Sequence, residues 1–395
     1  KSSFNYEKMS EVVKKTQKLM DDMIDLEIEQ IEKILEKIEA DPEPGSVKQI
    51  EKDMWLNIKN RATLGRRTGL GVTAVGDALA AMGIKYGSKK SVNVVESFYK
   101  CLSLNSYMSS CEMARDRGAF PVHDHNKEMG NKFLERVWEA SPDILEMSKK
   151  HGRRNIALTT TAPAGSVSTL TQTTSGIEPA FMLHYTRRKK LTGQDADGRV
   201  DFVDDSGDKW QEYTVYHHGF KKWMDATYDH EPDDLEEAVR HSPYSGATAN
   251  EIDWVAKVRM QAAAQKWVCH AISNTTNLPA DVDIETVKQV YMKGWELGCK
   301  GVTVYREGSR SGVLVQADSK AKRVDDKKSI QINSAPKRPK DLKCDIHQAS
   351  ISGEPWTIVI GLMNNMPYEI FGGKSEYVEI PKKYTDGILI KRPRK

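Results

Sequence analysis

The spacing of apolar and charged positions divides the chain into four parts. From about Tyr6 to Ala40, apolar residues recur every three or four positions with charges between them, which predicts one long amphipathic helix or two abutting ones. The segment DPEPG at 41–45 ends this pattern, because proline cannot continue a helix. The repeat keeps no strict heptad, so we interpret residues 1–60 as a helical segment packed within a larger domain; a coiled-coil partner helix is the alternative.

Residues 61–317 alternate short apolar runs with longer helical patterns. The runs at 156–161 and 301–305 are short and rich in β-branched residues, as buried strands are. The segments 72–82 and 251–272 have helical periodicity. Strands separated by helices predict an α/β arrangement, and the pattern leaves the strand order open.

The composition changes twice after this region. Residues 318–340 are polar, basic and nearly free of apolar periodicity, which is typical of a linker. We interpret them as a solvated tether rather than as a contact for an acidic partner. In residues 341–395, runs at 356–360, 368–371 and 377–380 are separated by Gly, Asn and Pro, which predicts a small β-rich module.

The overall composition excludes several classes of protein. Hydrophobic residues make up 38% and charged residues 29% of the 395, as in globular proteins, and no run of about 18 apolar residues predicts a membrane helix. A net charge of +3, from 59 basic and 56 acidic residues, does not indicate nucleic-acid binding. The five cysteines form no Cys-x-x-Cys pair, which argues against a disulfide framework or a zinc ribbon and predicts a reducing, cytoplasmic location.

The start of the chain has neither an initiator methionine nor an apolar signal core. We therefore expect an internal start, as in a fragment or a processed piece.

The most informative stretch runs from 159 to 188, TTTAPAGSVSTLTQTTSGIEPAFMLHYTRR. A β-branched strand leads into a turn of small residues, which lets backbone amides converge on an anion while hydroxyls add donors. A helix starting after the turn would add a favourable dipole. Such turns also cap helices with no ligand, so the pattern alone leaves both interpretations open.

This turn and the following SGIEPAF (175–181) and YTRR (185–188) resemble the substrate-phosphate loop and adjoining motif of class II, adenosylcobalamin-dependent ribonucleotide reductases. Three further segments occur in the family's order. These are RRTGLGV at 66–72, MQAAAQ with AISNTTNLP between 260 and 279, and GCKGVTVYR at 298–306, followed by Gly308-Ser309-Arg310. The resemblance covers about residues 60 to 315, and PYEIF at 367–371 is similar to a small β domain often appended to class II enzymes.

The resemblance implies the second half of a ten-stranded α/β barrel of the reductase type, whose first half lies upstream. It also implies that six residues cradle the substrate phosphate, with Ser166 and Ser168 adding hydroxyl donors: Pro163, Ala164, Gly165, Ser166, Val167 and Ser168. Gly176, Glu178 and Pro179 form the supporting motif. Glu178 either orients the loop by accepting backbone N–H bonds or takes part in proton transfer, and the sequence does not decide.

In this family adenosylcobalamin generates a cysteine thiyl radical that abstracts the ribose 3′ hydrogen. None of the five cysteines lies in the family's Asn-x-Cys-x-Glu motif; the nearest sequence, Ser110-Cys111-Glu112, lacks the Asn and the spacing. The carboxy-terminal cysteine pair of the family is also missing. We therefore assign no catalytic residue or metal ligand, and expect an inactive isolated chain. The partners implied are a complementary N-terminal half, a ribonucleotide and a thioredoxin-type reductant. Asn274 stands where many relatives carry lysine.

Other motifs receive plainer interpretations. Gly69-x-Gly71 predicts close packing at a helix entrance rather than a dinucleotide loop, because no strand pattern leads into it. The pairs His123/His125 and His217/His218 are interpreted as surface-loop histidines rather than metal ligands, and Cys299 as a buried, inert thiol.

Three functions remain in competition. The first is part of a ribonucleotide reductase, and the second is a noncatalytic nucleotide-binding or regulatory protein derived from the same fold. The third is a helical interaction protein built around residues 6–40, which leaves the small-residue turn unexplained.

Overall fold

A computed structural model describes residues 2–191, 199–203, 209–307, 309, 337–351, 353–378 and 380–391. Most of the predicted linker at 318–340 lies outside these residues. The chain forms two compact units: one comprises the residues up to Glu32 together with those from Asn57 onward in the barrel region, and the other comprises Lys33–Leu56 with the carboxy-terminal residues. Our boundary at residue 60 therefore differs from this division, which assigns 33–56 to the second unit.

The described helices are α1 Tyr6–Ala40, α2 Gly45–Gly65, α3 Val75–Ala81, α4 Lys89–Arg117, α5 His125–Glu128, α6 Lys132–Ala140, α7 Pro142–His151, α8 Gly165–Thr171, α9 His218–Thr227, α10 Leu235–His241, α11 Trp254–Gln265 and α12 Ile284–Glu296. The described strands are β1 His184–Lys190, β2 Phe202–Val203, β3 Lys209–Tyr216, β4 Thr275–Leu278, β5 Thr303–Arg306, β6 Asp341–Ile351, β7 Glu354–Met363, β8 Met366–Lys374 and β9 Asp386–Ile390. None of these helices is both long and apolar enough to cross a membrane.

The predicted amphipathic segment is one uninterrupted helix, α1. Its amino-terminal half packs into the main hydrophobic core through Val13, and Gln17 donates a hydrogen bond to Thr68 Oγ1 at 3.0 Å. This half of α1 is therefore a packed face within the first unit, which disfavours a protein built on α1 alone.

Helix α4 is the central element of the first unit. It begins after Ser88, whose Oγ accepts a hydrogen bond from Ser91 N at 3.2 Å, and Gly118 follows its last turn with a φ of 86°. Its buried face carries serines at 103, 106, 109 and 110, and small side chains allow close approach of neighbouring helices. α7 and α11 pack against it.

Four parallel extended segments lie side by side next to these helices. Leu70 bridges Thr159, Thr161 bridges Ile272, and β4 pairs with β5 in parallel register. The order 68–70, 157–161, 270–278 and 303–306 confirms the α/β arrangement and the strand predicted at 301–305. The segment predicted as a strand at 156–161 is extended but forms only isolated bridges, at Thr159 and Thr161. The ten-stranded barrel remains an expectation.

A three-stranded antiparallel sheet of order β1-β3-β2 follows the small-residue turn. It was not predicted as a sheet, because its strands are dominated by charged and aromatic residues without a clean alternation. Its neighbours α9 and α10 contribute Phe220, Met224 and Ala238 to a separate apolar cluster. The helix predicted over 251–272 is shorter, since α11 ends at Gln265 and the chain turns into the strand leading to Ile272.

The carboxy-terminal module is an antiparallel sheet of order β8-β7-β6-β9, which confirms its β-rich character. Asn364 and Asn365 join β7 to β8 with φ values of 53° and 61°, as a tight hairpin turn requires. The strand predicted at 377–380 is wrong for the described residues, because Ser375–Tyr377 forms a 3-10 helix. β6 and β9, which flank the predicted strands, were missed.

Candidate phosphate-binding site

The candidate site lies where the extended segment 157–161 ends. Thr161 N donates to Ala271 O at 3.4 Å, and Ser273 N donates to Thr161 O at 2.8 Å, so the end of this segment is held against its neighbour. The buried Tyr99 hydroxyl lies 3.0 Å from Thr161 Oγ1. These bonds fix the position of the turn that follows the segment. The turn lies at the carboxyl end of the parallel segments, where α/β folds bind ligands.

Helix α8 begins directly in the turn, at Gly165. The first amides of any α-helix have no partner within it, and among the described residues Gly165, Ser166 and Val167 show no backbone acceptor for theirs. Ser168 N donates to Ala164 O at 2.7 Å, which starts the helical ladder. These three consecutive amides therefore have no backbone partner among the described residues, an arrangement that suits an anion-binding turn.

The surroundings of these amides are open. A Cβ added at Gly165 would meet no atom within 4 Å, and Pro163, Ser166 and Val167 are all exposed. Ser168 differs: it is buried, and its hydroxyl donates to Gly165 O at 2.9 Å. The two serines predicted as donors therefore occupy different environments, one open to solvent and one bonded within the helix.

The supporting motif holds the turn from behind. Gly176 has a φ of 54°, and a Cβ there would lie 3.0 Å from Ala162 O, so this position favours glycine both for conformation and for space. The buried Tyr86 hydroxyl donates to Ile177 O at 2.6 Å. Pro179 is buried in the next stretch of this motif.

Glu178 is bonded to a neighbouring strand. Its Oε1 accepts a hydrogen bond from Thr275 N, the first residue of β4, at 3.0 Å. Lys257 on α11 is almost fully buried, and burial lowers the pKa of its ammonium group to about 8, against the opposing charge of Glu178. Glu178 thus positions β4 and partly balances a buried cation, and we find it bonded to the strand backbone rather than to the turn.

Asn274 is the least satisfied polar residue near this site. It is 1% exposed, and neither its Oδ1 nor its Nδ2 has a hydrogen-bond partner among the described residues. Buried amides are normally paired. Asn274 immediately precedes Thr275, and so lies beside the strand that Glu178 holds.

A second cluster, missed from the sequence, joins α3 to the supporting motif. Asp77 Oδ1 lies 2.7 Å from His217 Nε2 and accepts the Tyr244 hydroxyl at 2.8 Å, while Oδ2 accepts Thr174 N at 2.8 Å. Burial acts to raise the pKa of Asp77, but these hydrogen bonds, led by that of His217, hold it below its usual value. The nearest signal in the sequence was the His217/His218 pair, which we had interpreted as surface histidines; His217 is instead a partly buried partner of a carboxylate.

The RRTGLGV segment serves mainly structural roles. Arg66 is buried and donates to Asp21 Oδ1 at 2.8 Å and to Asp25 Oδ1 at 2.7 Å. A Cβ at Gly71 would lie 2.6 Å from Thr160 O, so the backbone of this strand passes unusually close to its neighbour. This agrees with the predicted close packing of Gly69-x-Gly71.

The remaining predicted groups are not brought to this site. Burial raises the pKa of the Cys299 thiol to about 11 and that of Cys111 to about 12, consistent with an inert thiol at Cys299. Among the described residues, three carboxylates on α1 lie close enough together to bind one metal ion: Asp21, Asp22 and Asp25. Asp21, however, is already paired with Arg66 and Arg154.

The sequence of this chain matches two family models. Residues 1–305 match the family model described as ribonucleotide reductase, barrel domain, and residues 342–395 match that of the NrdJ homologue C-terminal domain. The chain therefore belongs to the ribonucleotide reductase barrel-domain family. The resemblance to the class II enzymes is likewise confirmed by the curated relatives.

Three of these relatives illustrate the match. The vitamin B12-dependent ribonucleoside-diphosphate reductase of Mycobacterium tuberculosis is 29% identical over 260 residues, 65% of this chain and 33% of the relative. The enzyme of the same name from Thermoplasma acidophilum is 29% identical over 276 residues, 70% of this chain and 33% of the relative. The vitamin B12-dependent ribonucleotide reductase of Rhodopirellula baltica is 27% identical over 348 residues, 78% of this chain and 33% of the relative. The chain spans about a third of the length of the curated relatives it matches.

Proposed function

We propose that this chain is part of a ribonucleotide reductase that converts ribonucleotides to deoxyribonucleotides, and that it supplies the loop that binds the substrate phosphate. The observation that carries the proposal is the start of α8 at Gly165, directly after an extended parallel segment. Three amides there have no backbone partner among the described residues, and the space around Gly165 is open. Family membership supports the reaction class.

The division of labour follows from the chemistry of the described residues. Substrate binding at the turn relies on the amides of 165–167 and on the exposed hydroxyl of Ser166, both suited to a phosphate. No cysteine of this chain lies in Asn-x-Cys-x-Glu. We therefore assign the radical cysteine to a complementary amino-terminal half and the reducing electrons to a thioredoxin-type protein.

Adenosylcobalamin, which would generate the radical, does not fit the cavities we describe in this chain. One cavity, of about 700 Å³, is lined by Gly65, Arg67 and Ile156, which precede the strands, whereas the phosphate turn follows them. A cofactor there would lie at the opposite end of the strands from the substrate. We therefore assign its binding to the complementary half and derive no step through it here.

The first experiment is a ribonucleotide reduction assay with adenosylcobalamin and a dithiol. The chain is assayed alone and mixed with an amino-terminal half that carries Asn-x-Cys-x-Glu. We expect turnover only in the mixture. Turnover by the chain alone would contradict the missing radical cysteine, and silence in a mixture shown to associate would favour the noncatalytic nucleotide-binding protein.

A second experiment tests the loop itself. Gly165→Val adds a side chain where the folded chain has open space, so it should leave the fold intact while blocking close approach of a phosphate. Losing one or two charge-assisted bonds costs about 1.5–3 kcal/mol, so we expect KM for the nucleotide to rise about 10- to 100-fold in the mixture. Leu170→Ala, on the same helix and 84% exposed, is the matched control and should change KM little. Equal effects of both substitutions would argue against the loop.

A further inference from the structure

A second cavity lies at the other end of the parallel segments. It has a volume of about 390 Å³, within the range of small-molecule pockets, and Ile156 and Ala157, which begin the strand leading to the phosphate turn, form part of its wall. Cys269 and Arg153 also line it. The proposed reductase function gives this cavity no role.

The sulfur of Cys269 is surrounded by donors. Leu158 N and Thr159 N each lie 3.1 Å from Sγ and donate to it, and the Thr159 hydroxyl lies 3.5 Å away. Consecutive backbone amides aimed at one atom stabilise negative charge on it. The same hydroxyl accepts Cys269 N at 3.1 Å, which fixes it in place. Cys269 Sγ also lies 3.4 Å from Thr159 O, which can accept the thiol proton, so these contacts fix the position of the sulfur in the cavity wall.

An independent feature of the same wall indicates a ligand. Arg153 is 2% exposed, and its Nε has no hydrogen-bond partner among the described residues. The rest of its guanidinium group is engaged, by Asn155 O at 3.1 Å and by Glu128. A buried, charged donor without a partner is costly. A polar ligand in the cavity would remove that cost.

The charges of the wall select an anionic ligand. Glu128 is balanced by Arg153, and Asp124 Oδ1 accepts Asn126 N as the cap of α5. Lys127, with 83% of its side chain exposed, lies 3.9 Å from Asp124. Lys300, whose ammonium group donates to Cys269 O, has no carboxylate partner among the described residues and is the third cation of a wall with two carboxylates. The wall therefore presents an excess of positive charge beside the cysteine.

We propose that Cys269 is a site of reversible thiolation, at which an anionic low-molecular-weight disulfide binds in this cavity and forms a mixed disulfide. The Cys269 thiolate attacks one sulfur of the disulfide, the reagent's S–S bond breaks, and a new S–S bond joins that sulfur to Cys269. The other half leaves with the electron pair and takes up the proton that Cys269 gave up. Cys269 is oxidised and the departing thiol is reduced, with no further reactant.

The test measures modification of each cysteine, so it is independent of reductase activity. The reduced 395-residue chain is incubated with glutathione disulfide, which is anionic, or with neutral 2-hydroxyethyl disulfide, and cysteine-containing peptides are followed by mass spectrometry. Cys101 is the reference, because it is also partly exposed but does not line the cavity. We expect Cys269 to react with glutathione disulfide at least about tenfold faster than Cys101, because the cavity holds the reagent next to the Cys269 sulfur. In urea the two rates should become similar.

A substitution isolates the role of charge. Lys127→Gln should slow the reaction of Cys269 with glutathione disulfide about threefold or more and leave its reaction with the neutral disulfide unchanged, as expected for electrostatic attraction of the reagent. Lys132→Gln, with 86% of its side chain exposed and outside the cavity wall, is the matched control and should alter neither rate. Similar rates for Cys269 and Cys101 in the folded chain would overturn the proposal. So would a fast Cys269 that does not distinguish the two disulfides.

Discussion

The two ends of the same parallel segments are built in opposite ways. At the carboxyl end, the phosphate turn is made of small, exposed residues, and its amides from Gly165 to Val167 have no partner among the described residues. At the amino end, large charged side chains are buried: Arg66 is 5% and Arg153 2% exposed. At the carboxyl end, backbone donors have no partner among the described residues. At the amino end, charged side chains pair with one another.

This difference separates binding from stability. A free amide in open space contributes little to folding but is available to a ligand. A buried charge must be paired, and breaking such a pair leaves its partner uncompensated. Substitutions at the amino end should therefore reduce the free energy of unfolding, and substitutions at the turn should reduce ligand binding.

The largest effect is expected at Asp21. This carboxylate, fully buried, accepts Arg66 Nε at 2.8 Å, Asn155 Nδ2 at 2.8 Å and Arg154 Nε at 3.1 Å. Asp21→Ala leaves two cations and an amide without their shared acceptor, and should lower the free energy of unfolding by about 3–5 kcal/mol. Urea denaturation followed by circular dichroism measures the change.

Asp22→Ala provides the control. Asp22 lies next to Asp21 on α1 but forms an exposed ion pair, with Arg117 at the end of α4. Exposed pairs contribute about 0–1 kcal/mol, so this variant should unfold almost as the parent does. Equal losses for the two variants would contradict the assignment of Asp21 as a buried structural acceptor.

An effect of intermediate size is expected at Lys257, whose pKa burial lowers to about 8. In the unfolded chain this pKa is about 10.4, so between these values the unfolded state binds more protons and stability rises with pH, by at most about 1.4 kcal/mol per unit. The free energy of unfolding is measured against pH for the parent and for Lys257→Met. Subtracting the curve of the variant from that of the parent cancels the contributions of the other titrating groups. We expect the difference to grow by about 1–3 kcal/mol from pH 8 to 10.

Lys266→Met is the matched control, since Lys266 caps the same helix but half of its side chain is exposed. A difference curve that grows with pH for Lys257→Met and grows less for Lys266→Met would assign the effect to burial of the Lys257 ammonium group. A flat difference curve for Lys257→Met would show that the ammonium group is hydrated in the folded chain.

The sequence predicted those parts of the fold that depend on local patterns. The span of α1 follows from its periodicity and the DPEPG segment, and the start of α8 follows from the small-residue turn. The β-branched residues at 156–161 predicted an extended segment, which the structure shows as isolated parallel bridges at Thr159 and Thr161. These elements are specified within a few residues of chain.

What the sequence did not predict depends on partners distant in the chain. Asp77 meets His217 and Tyr244 across 140 and 167 residues, and Glu178 meets Thr275 across 97. The cavity wall likewise joins Arg153 to Cys269. The spacing of residues along the chain does not predict such pairs, because only tertiary packing brings them together. The hydroxyl of Ser168 was expected to face the ligand. It donates instead to Gly165 O, because the first turn of α8 places this carbonyl three residues before Ser168 and within its reach.

The smallest predicted effects, at Ser166 and Ser168, compare two hydroxyls within a single turn of α8. Ser168→Ala removes the bond to Gly165 O, and should lower the free energy of unfolding by about 0.5–1.5 kcal/mol while changing nucleotide KM less than about twofold. Ser166→Ala removes an exposed hydroxyl, and should leave stability within about 0.5 kcal/mol while raising KM about 3- to 10-fold in the reconstituted mixture. Urea denaturation and initial-rate kinetics measure the two quantities. The reverse pattern, with binding lost at Ser168 and stability lost at Ser166, would mean that α8 rearranges when the phosphate binds, because only then does the buried hydroxyl reach a ligand.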